Sequence, residues 1–257
     1  MPGQLEAHTR PVLEVVCDDA QDAALARARG ADRIELCAAL EVGGVTPGPG
    51  LLAEARAAVR GELIVLARPR RGDFVYDART FRALVRDVEF AKHMGADGVA
   101  VGVLHADGTL DVTRTRALVL VAAPLIVTFH RAFDTLPDPF VALARLADVG
   151  VQRVLTSAGG ALAVERHERL TELVQAAAGR IQVVAAGGVR SEHIATLLAP
   201  SALGVIEMPG AFATLAAVHA SASRLVATCA PGTSQAPSRL PAEHELRRVD
   251  LDEVTLL

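Results

Sequence analysis

One arrangement of apolar and polar positions recurs along the chain. A stretch with helical apolar spacing ends at a glycine, and a short run rich in Val, Ile and Leu follows, as in ALARARGADRIELC, FAKHMGADGVAVG and ARLADVGVQRVLTS. Gly30, Gly95 and Gly150 stand where a helix C-terminus turns into the left-handed region that glycine enters without steric cost. The apolar runs are short and nearly continuous, as in strands buried on both faces. They fall at 12–17, 33–38, 63–69, 98–103, 125–131, 153–158, 181–188 and 204–208. Helical spacing is predicted between and after them, over 20–29, 49–60, 79–94, 112–122, 138–148, 164–178, 191–199 and 212–227. Regular alternation implies parallel strands with right-handed crossovers. Eight units at this length predict an α/β fold, a single-domain (β/α)8 TIM barrel. An open doubly wound sheet is the alternative, but the chain has neither a strand–GxGxxG–helix opening nor a P-loop.

The pattern stops near residue 230, where APGTSQAPSRLPAEHE is rich in Pro, Ser and Ala. The expected organisation is therefore an N-terminal segment, 1–11, a barrel, 12–229, and a linker with a C-terminal tail, 230–257.

Of the 257 residues 51% are hydrophobic and 22% charged, so a large core is expected. A net charge of −4 speaks against nucleic acid and anionic membranes as partners. With no Trp and one Tyr, little is left for stacking on nucleobases. No apolar run is long enough to span a bilayer, and MPGQLEAHTRP at the start is polar. Three cysteines, Cys17, Cys37 and Cys229, do not make a disulfide framework, so a cytoplasmic location is predicted.

Barrel sites lie at the C-terminal ends of the strands, and most strands here carry polar side chains toward that end. Glu14, Cys17 and Asp18 belong to the first, Arg33, Glu35 and Cys37 to the second, and Arg68, Arg70, Arg71 and Asp73 to the third. The fifth gives Thr128, His130, Arg131 and then Asp134, and the sixth Thr156 and Ser157. Alternation places Glu35 with Cys37, Arg68 with Arg70, and Thr128 with His130 on shared faces. Each of these residues could instead belong to a salt-bridged barrel plug, but their concentration at one end favours a site. His130 is the candidate acid or base, with Glu14 or Glu35 as the complementary carboxylate. Arg33, Arg68, Arg70, Asp73, Thr128, Arg131, Thr156 and Ser157 complete a rim suited to a small anionic molecule. Gly187 and Gly188 in AAGGVR could present backbone donors to a phosphate, or could serve a tight loop. His93, His105, His167 and His193 show no metal-ligand spacing.

The cysteines support a different chemistry. Cu(I) prefers thiolate and thioether ligands. Cys17 and Cys37 fall at the tips of neighbouring strands, and Met208 ends the run expected to close the ring beside the first. Strict alternation sets Cys17 on the face opposite Glu14, so convergence needs a local distortion.

ADRIELCAALEVGGVTPGPGLL, RPRRGDFVYD, GADGVAVGVLHADGTLD, VTFHRAFD and RVLTSAG, in this order, closely resemble the CutC family, named for copper homeostasis. The resemblance runs from about Val12 to Val189. It implies a cytoplasmic (β/α)8 barrel, a homodimer, a link to copper tolerance, and Cu(I) held by Cys17 and Cys37. The chain departs from the family pattern at Arg71, where a glycine is usual. It departs again at the expected eighth strand, where VIEMPGAF lacks a His that usually precedes a Ser-Ala pair. Two functions are thus expected: a copper-binding homeostasis protein, or an enzyme acting on a small anionic or phosphorylated metabolite.

Overall fold

Local signals in the chain set the element boundaries. Asp19, Asp77, Asp111 and Asp138 each accept backbone N–H bonds at the start of a helix, and Pro49 and Pro139 occupy first-turn positions where no donor is needed. The computed structural model describes residues 12–198, 217–220, 223–227 and 245–249. Strands β1 (Val12–Cys17), β2 (Arg33–Leu36), β3 (Glu62–Leu66), β4 (Gly98–Val101), β5 (Ile126–Phe129), β6 (Arg153–Thr156), β7 (Gln182–Ala186) and β8 (Ala217–Ala220) pair in parallel and close a barrel. Helices α1 (Ala20–Ala28), α2 (Pro49–Ala58), α3 (Ala78–His93), α4 (Val112–Ala122), α5 (Pro139–Asp148), α6 (His167–Ala177) and α7 (Ser191–Leu198) each follow a strand. The predicted (β/α)8 architecture is thereby shown.

One expectation is corrected. Helical spacing over 212–227 gives way to two strands, β8 and then β9 (Ser223–Ala227), which pairs antiparallel with β10 (Glu245–Val249). The ring is closed by β8, while the run at 204–208, Met208 and Cys229 lie outside the described residues.

The repeated glycine motif has a structural purpose. Gly30, Gly95 and Gly150 all take positive φ, 108°, 81° and 90°. Two residues on, Asp32, Asp97 and Gln152 each clasp the preceding strand at two points. Asp32 N–H donates to Leu13 O at 2.9 Å, and Leu13 N–H donates back to the Asp32 carboxylate at 2.9 Å. The same pair of bonds joins Asp97 with Leu63, both at 2.9 Å, and Gln152 with Val127, at 3.0 and 2.8 Å. Each clasp satisfies a strand-start donor that the neighbouring strand does not reach.

The outward side chains of the strands, such as Leu13, Val15, Cys17, Ile34, Val99 and Phe129, pack against the helices in one continuous apolar layer. Inside the ring a second set meets. Val16, Cys37, Ile64, Leu66 and Ala100 form one group, and Val12, Leu155, Val184 and Ala186 another. Gly98 marks the tightest crossing. A Cβ there would lie 2.6 Å from Ile64 Cδ1 and 2.8 Å from the Ile126 carbonyl oxygen. Because a backbone atom cannot step aside, Gly98→Ala is expected to cost about 1–3 kcal/mol, read as a lower urea midpoint at unchanged slope.

Candidate functional site

The barrel interior is polar from its N-terminal end to its middle. Arg33, Glu62, Arg153 and Gln182 open β2, β3, β6 and β7, and they bond one another across the ring. Arg153 reaches Glu62 at 2.6 Å and Gln182 at 3.3 Å, and Arg33 reaches Glu62 at 3.5 Å. One layer higher, Glu14 is gripped by the Arg33 guanidinium on one oxygen and by His219 Nδ1 on the other, the latter at 2.6 Å. Glu35, the next inward residue of β2, completes this layer. Ligand atoms of Glu14, Glu35 and His219 lie within 4.8 Å of one another.

This triad is the one group of its kind among the described residues that could hold a metal ion. Both Glu14 oxygens, however, are already bonded, one to Arg33 and one to His219, so we read it as an acid–base cluster. Burial raises the Glu14 pKa, but Arg33 first and then His219 overcome this and hold the carboxylate well below its ordinary range. Burial disfavours the His219 cation, yet Glu35 and Glu14 together raise its pKa. Glu35 behaves differently. Burial pushes it up from its ordinary 4.5 to about 7, with His219 and Arg33 pulling down and Glu14 pushing up. Its Oε2 is buried with no hydrogen-bond partner.

Above this layer lies a cavity of about 270 Å³, opening at the C-terminal ends of the strands. Glu35, Cys37, Arg68, His130, Arg131, Gly187, Gly188 and His219 line it, with Val16, Leu66, Phe74 and Leu155 as apolar wall. His130 stands at the end of β5, its ring 4.9 Å from that of Phe74. On its other side is Gly102, where a Cβ would come within 2.6 Å of His130 Nδ1. The Ala132 N–H donates to His130 Nδ1 at 3.1 Å. In the neutral ring the proton therefore sits on Nε2, which is buried and unpartnered. Burial, with Arg68 second, lowers the His130 pKa to about 3. His130 is thus a neutral hydrogen-bond donor, and Glu35 is the group able to exchange a proton near neutrality.

The arginines divide their work. Arg68 donates to the carbonyls of Gly43, Gly44 and Gly72 at 3.1, 2.9 and 2.7 Å, stapling two loops over the cavity. It also stacks on Phe74 at 5.0 Å. Arg70 pairs with Asp73 at 2.5 Å, and neither lines the cavity. Arg33 belongs to the network beneath the cavity. Arg131 stands at the mouth, its Nε on Asp134 at 2.8 Å and its Nη2 on Ser157 at 3.1 Å. Asp134 also accepts from the Thr156 hydroxyl at 2.5 Å and the Ser157 N–H at 3.0 Å, so Thr156 and Ser157 brace the loop that carries Arg131. Gly187, at φ +110°, leaves room for Arg131, whose Cζ would lie 3.2 Å from a Cβ there. Thr128 is buried one step below His130, its hydroxyl without a partner.

The two cysteines do not share a face. Cys37 lines the cavity, whereas Cys17 belongs to the apolar layer against the helices. They are linked through backbone, Cys37 N–H to Cys17 O at 2.9 Å. Burial pushes both thiols up, followed by Asp22 at Cys17 and Glu35 at Cys37.

Sequence reasoning missed Glu62, Arg153 and His219. Glu62 and Arg153 open strands with inward parity, a signal that could have found them. His219 is followed by Ala220, Ser221 and Ala222, so the His before a Ser-Ala pair is present, 11 positions beyond Met208. The stretch VIEMPGAF, where the sequence places the eighth strand, lies outside the described residues.

Residues 11–214 match the model of the CutC family. The chain belongs to the CutC family. A family protein CutC of Caulobacter vibrioides is 44% identical over 208 residues, 81% of this chain and 83% of that protein. The human copper homeostasis protein cutC homolog is 40% identical over 187 residues, 73% of this chain and 68% of its own. A crystal structure from Streptococcus agalactiae, named as a copper homeostasis protein CutC, superposes with a TM-score of 0.70 at 26% identity, covering 82% of this chain and 98% of that one. Among the described residues no helix is long and apolar enough to cross a membrane.

Glu35 binds its proton more tightly in the folded than in the unfolded chain. Between about pH 4.5 and 7 the folded state therefore holds more protons, and stability falls as pH rises through that window. Glu35→Gln removes this slope. Its melting temperature relative to the parent should rise steadily from pH 5 to 7.5, as followed by calorimetry.

Proposed function

We propose that this CutC-family barrel binds a small anionic metabolite in the cavity and moves a proton on it. The observation that carries this reading is the pairing of two buried, unpartnered atoms, Glu35 Oε2 and His130 Nε2, on residues that line the same cavity. A buried polar atom without a partner is costly, and a ligand offering both a proton and an acceptor oxygen relieves both costs. Glu35 acts as the proton carrier. The Glu14–His219 pair holds it beside a fixed charge, and His130 donates to the ligand. Arg131, nearly half exposed at the mouth, meets the anionic group, while Gly187 and Gly188 bound the space it enters. The unpaired thiols Cys17 and Cys37 suit the reducing cytoplasm.

A thermal-shift panel of sugar phosphates and small carboxylates tests the reading. A ligand at about 100 times its dissociation constant adds about 2.7 kcal/mol, or about 5–10 °C in a domain of this size. Arg131→Ala should abolish most of that shift. A panel with no stabilising member counts against the proposal.

A second reading follows from Cys37 and the names of the relatives. Cu(I) homeostasis through Cys37 and Cys17, with Met208 as a third soft ligand, fits the thiol that faces the cavity. It requires the tip of β1 to turn Cys17 inward. Competition against a calibrated Cu(I) chelator should show weaker binding for Cys37→Ala and for Cys17→Ala. Parent-like affinity in the double variant ends this reading.

A further inference from the structure

The chemistry open to this cavity is narrow. The sequence holds a single lysine, Lys92. It lies on α3 outside the barrel and donates to the carbonyls of Val121 and Ala123. No lysine amine can form a Schiff base in the cavity. The one thiol on the wall, Cys37, packs among Val16, Ile64, Leu66 and Ala100. Among the described residues no side-chain base is hydrogen-bonded to it, so it lacks the activation a nucleophile needs. What the wall does supply is a carboxyl with a free oxygen on β2 and a neutral N–H on the residue after β5. These strands stand three apart in a ring of eight, and the two groups line the same cavity from different walls. The Ala132 N–H fixes the ring tautomer, while Phe74 and Gly102 hold the ring between them. Such a donor can stabilise developing charge on an oxygen without giving up its proton.

We propose that the site catalyses enolisation of a small phosphorylated or carboxylated carbonyl compound, with Glu35 as the base and His130 Nε2–H as the donor to the carbonyl oxygen. The proposal rests on the small-anion reading above. In the step, a C–H bond next to the carbonyl breaks and its proton passes to the Glu35 carboxylate. The C–H electron pair becomes the new C=C bond, and the carbonyl π pair moves onto the oxygen held by His130. Return of a proton from Glu35 to carbon completes the cycle. Nothing is oxidised or reduced, and no co-reactant enters.

Deuterium exchange separates this idea from its parent. The full chain is incubated in D2O with dihydroxyacetone phosphate, glycolaldehyde phosphate or hydroxypyruvate, and proton NMR follows the C–H signal beside the carbonyl. Loss of that signal is expected for a probe that also stabilises the fold. It should slow by about 10²–10⁴ in Glu35→Gln and by about 10²–10³ in His130→Gln, each measured with probe in saturating excess. If Glu35→Gln does not fold, His130→Gln carries the comparison. A probe that stabilises the parent yet exchanges no faster than in buffer overturns enolisation and leaves the binding reading standing. Exchange that survives Glu35→Gln unchanged overturns the assignment of the base. No stabilisation by any of the three probes overturns enolisation of this carbonyl class, while the binding reading falls only with the whole panel.

Discussion

The barrel interior is short of one positive charge. Among the described residues Glu14, Glu35 and Glu62 point inward, and Arg33 and Arg153 are the arginines that oppose them from the same layers. Charges removed from water are tolerated only when paired, so a third cationic equivalent has to come from elsewhere. It is a proton, held on His219 or on Glu35. His219 enters with β8, the last strand to join the ring. The strand that closes the ring thus also carries the histidine that bonds Glu14 and lies beside Glu35.

This layout makes the site a product of shortage rather than of added machinery. A third arginine in the ring would satisfy Glu35 and remove its capacity to exchange a proton near neutrality. The arginines at the mouth show the same economy. Arg68 spends its terminal nitrogens on three carbonyls, Arg70 on its own loop, and Arg131 on the brace formed by Asp134 and Ser157; of the two that line the cavity, Arg68 and Arg131, the latter keeps a substantial face toward solvent.

Strand and helix order was legible in the sequence because each unit announces itself with a glycine, a cap and a continuous apolar run. Boundaries from α1 to α7 came out within a few residues. The site was legible in part. Parity correctly grouped Glu35 with Cys37 and Thr128 with His130, and it set Cys17 apart. It could not tell that Ala132 would occupy His130 Nδ1, which turns an apparent acid or base into a neutral donor. Nor could it tell that Arg68 would be consumed by Gly43, Gly44 and Gly72, since backbone carbonyls carry no residue signature. The eighth strand was misplaced because AVHA is short and weakly apolar while GVIEM looks stronger; register against β1, not apolar strength, decides which segment closes a ring.

The clasps at Asp32, Asp97 and Gln152 have a bearing on inheritance. Among the described residues each side-chain clasp ties one odd-numbered strand to the even-numbered strand that follows it, so β1–β2, β3–β4 and β5–β6 are bound as couples. Over these six strands the unit that repeats is two strands with the helix between them. Breaks in the chain within α2, α4 or α6 leave every clasp whole, whereas breaks within α1, α3 or α5 separate the partners of one. From β1 to β6 the seams between clasped couples therefore lie on the even-numbered helices, the places where the chain could be cut or joined with every clasp kept.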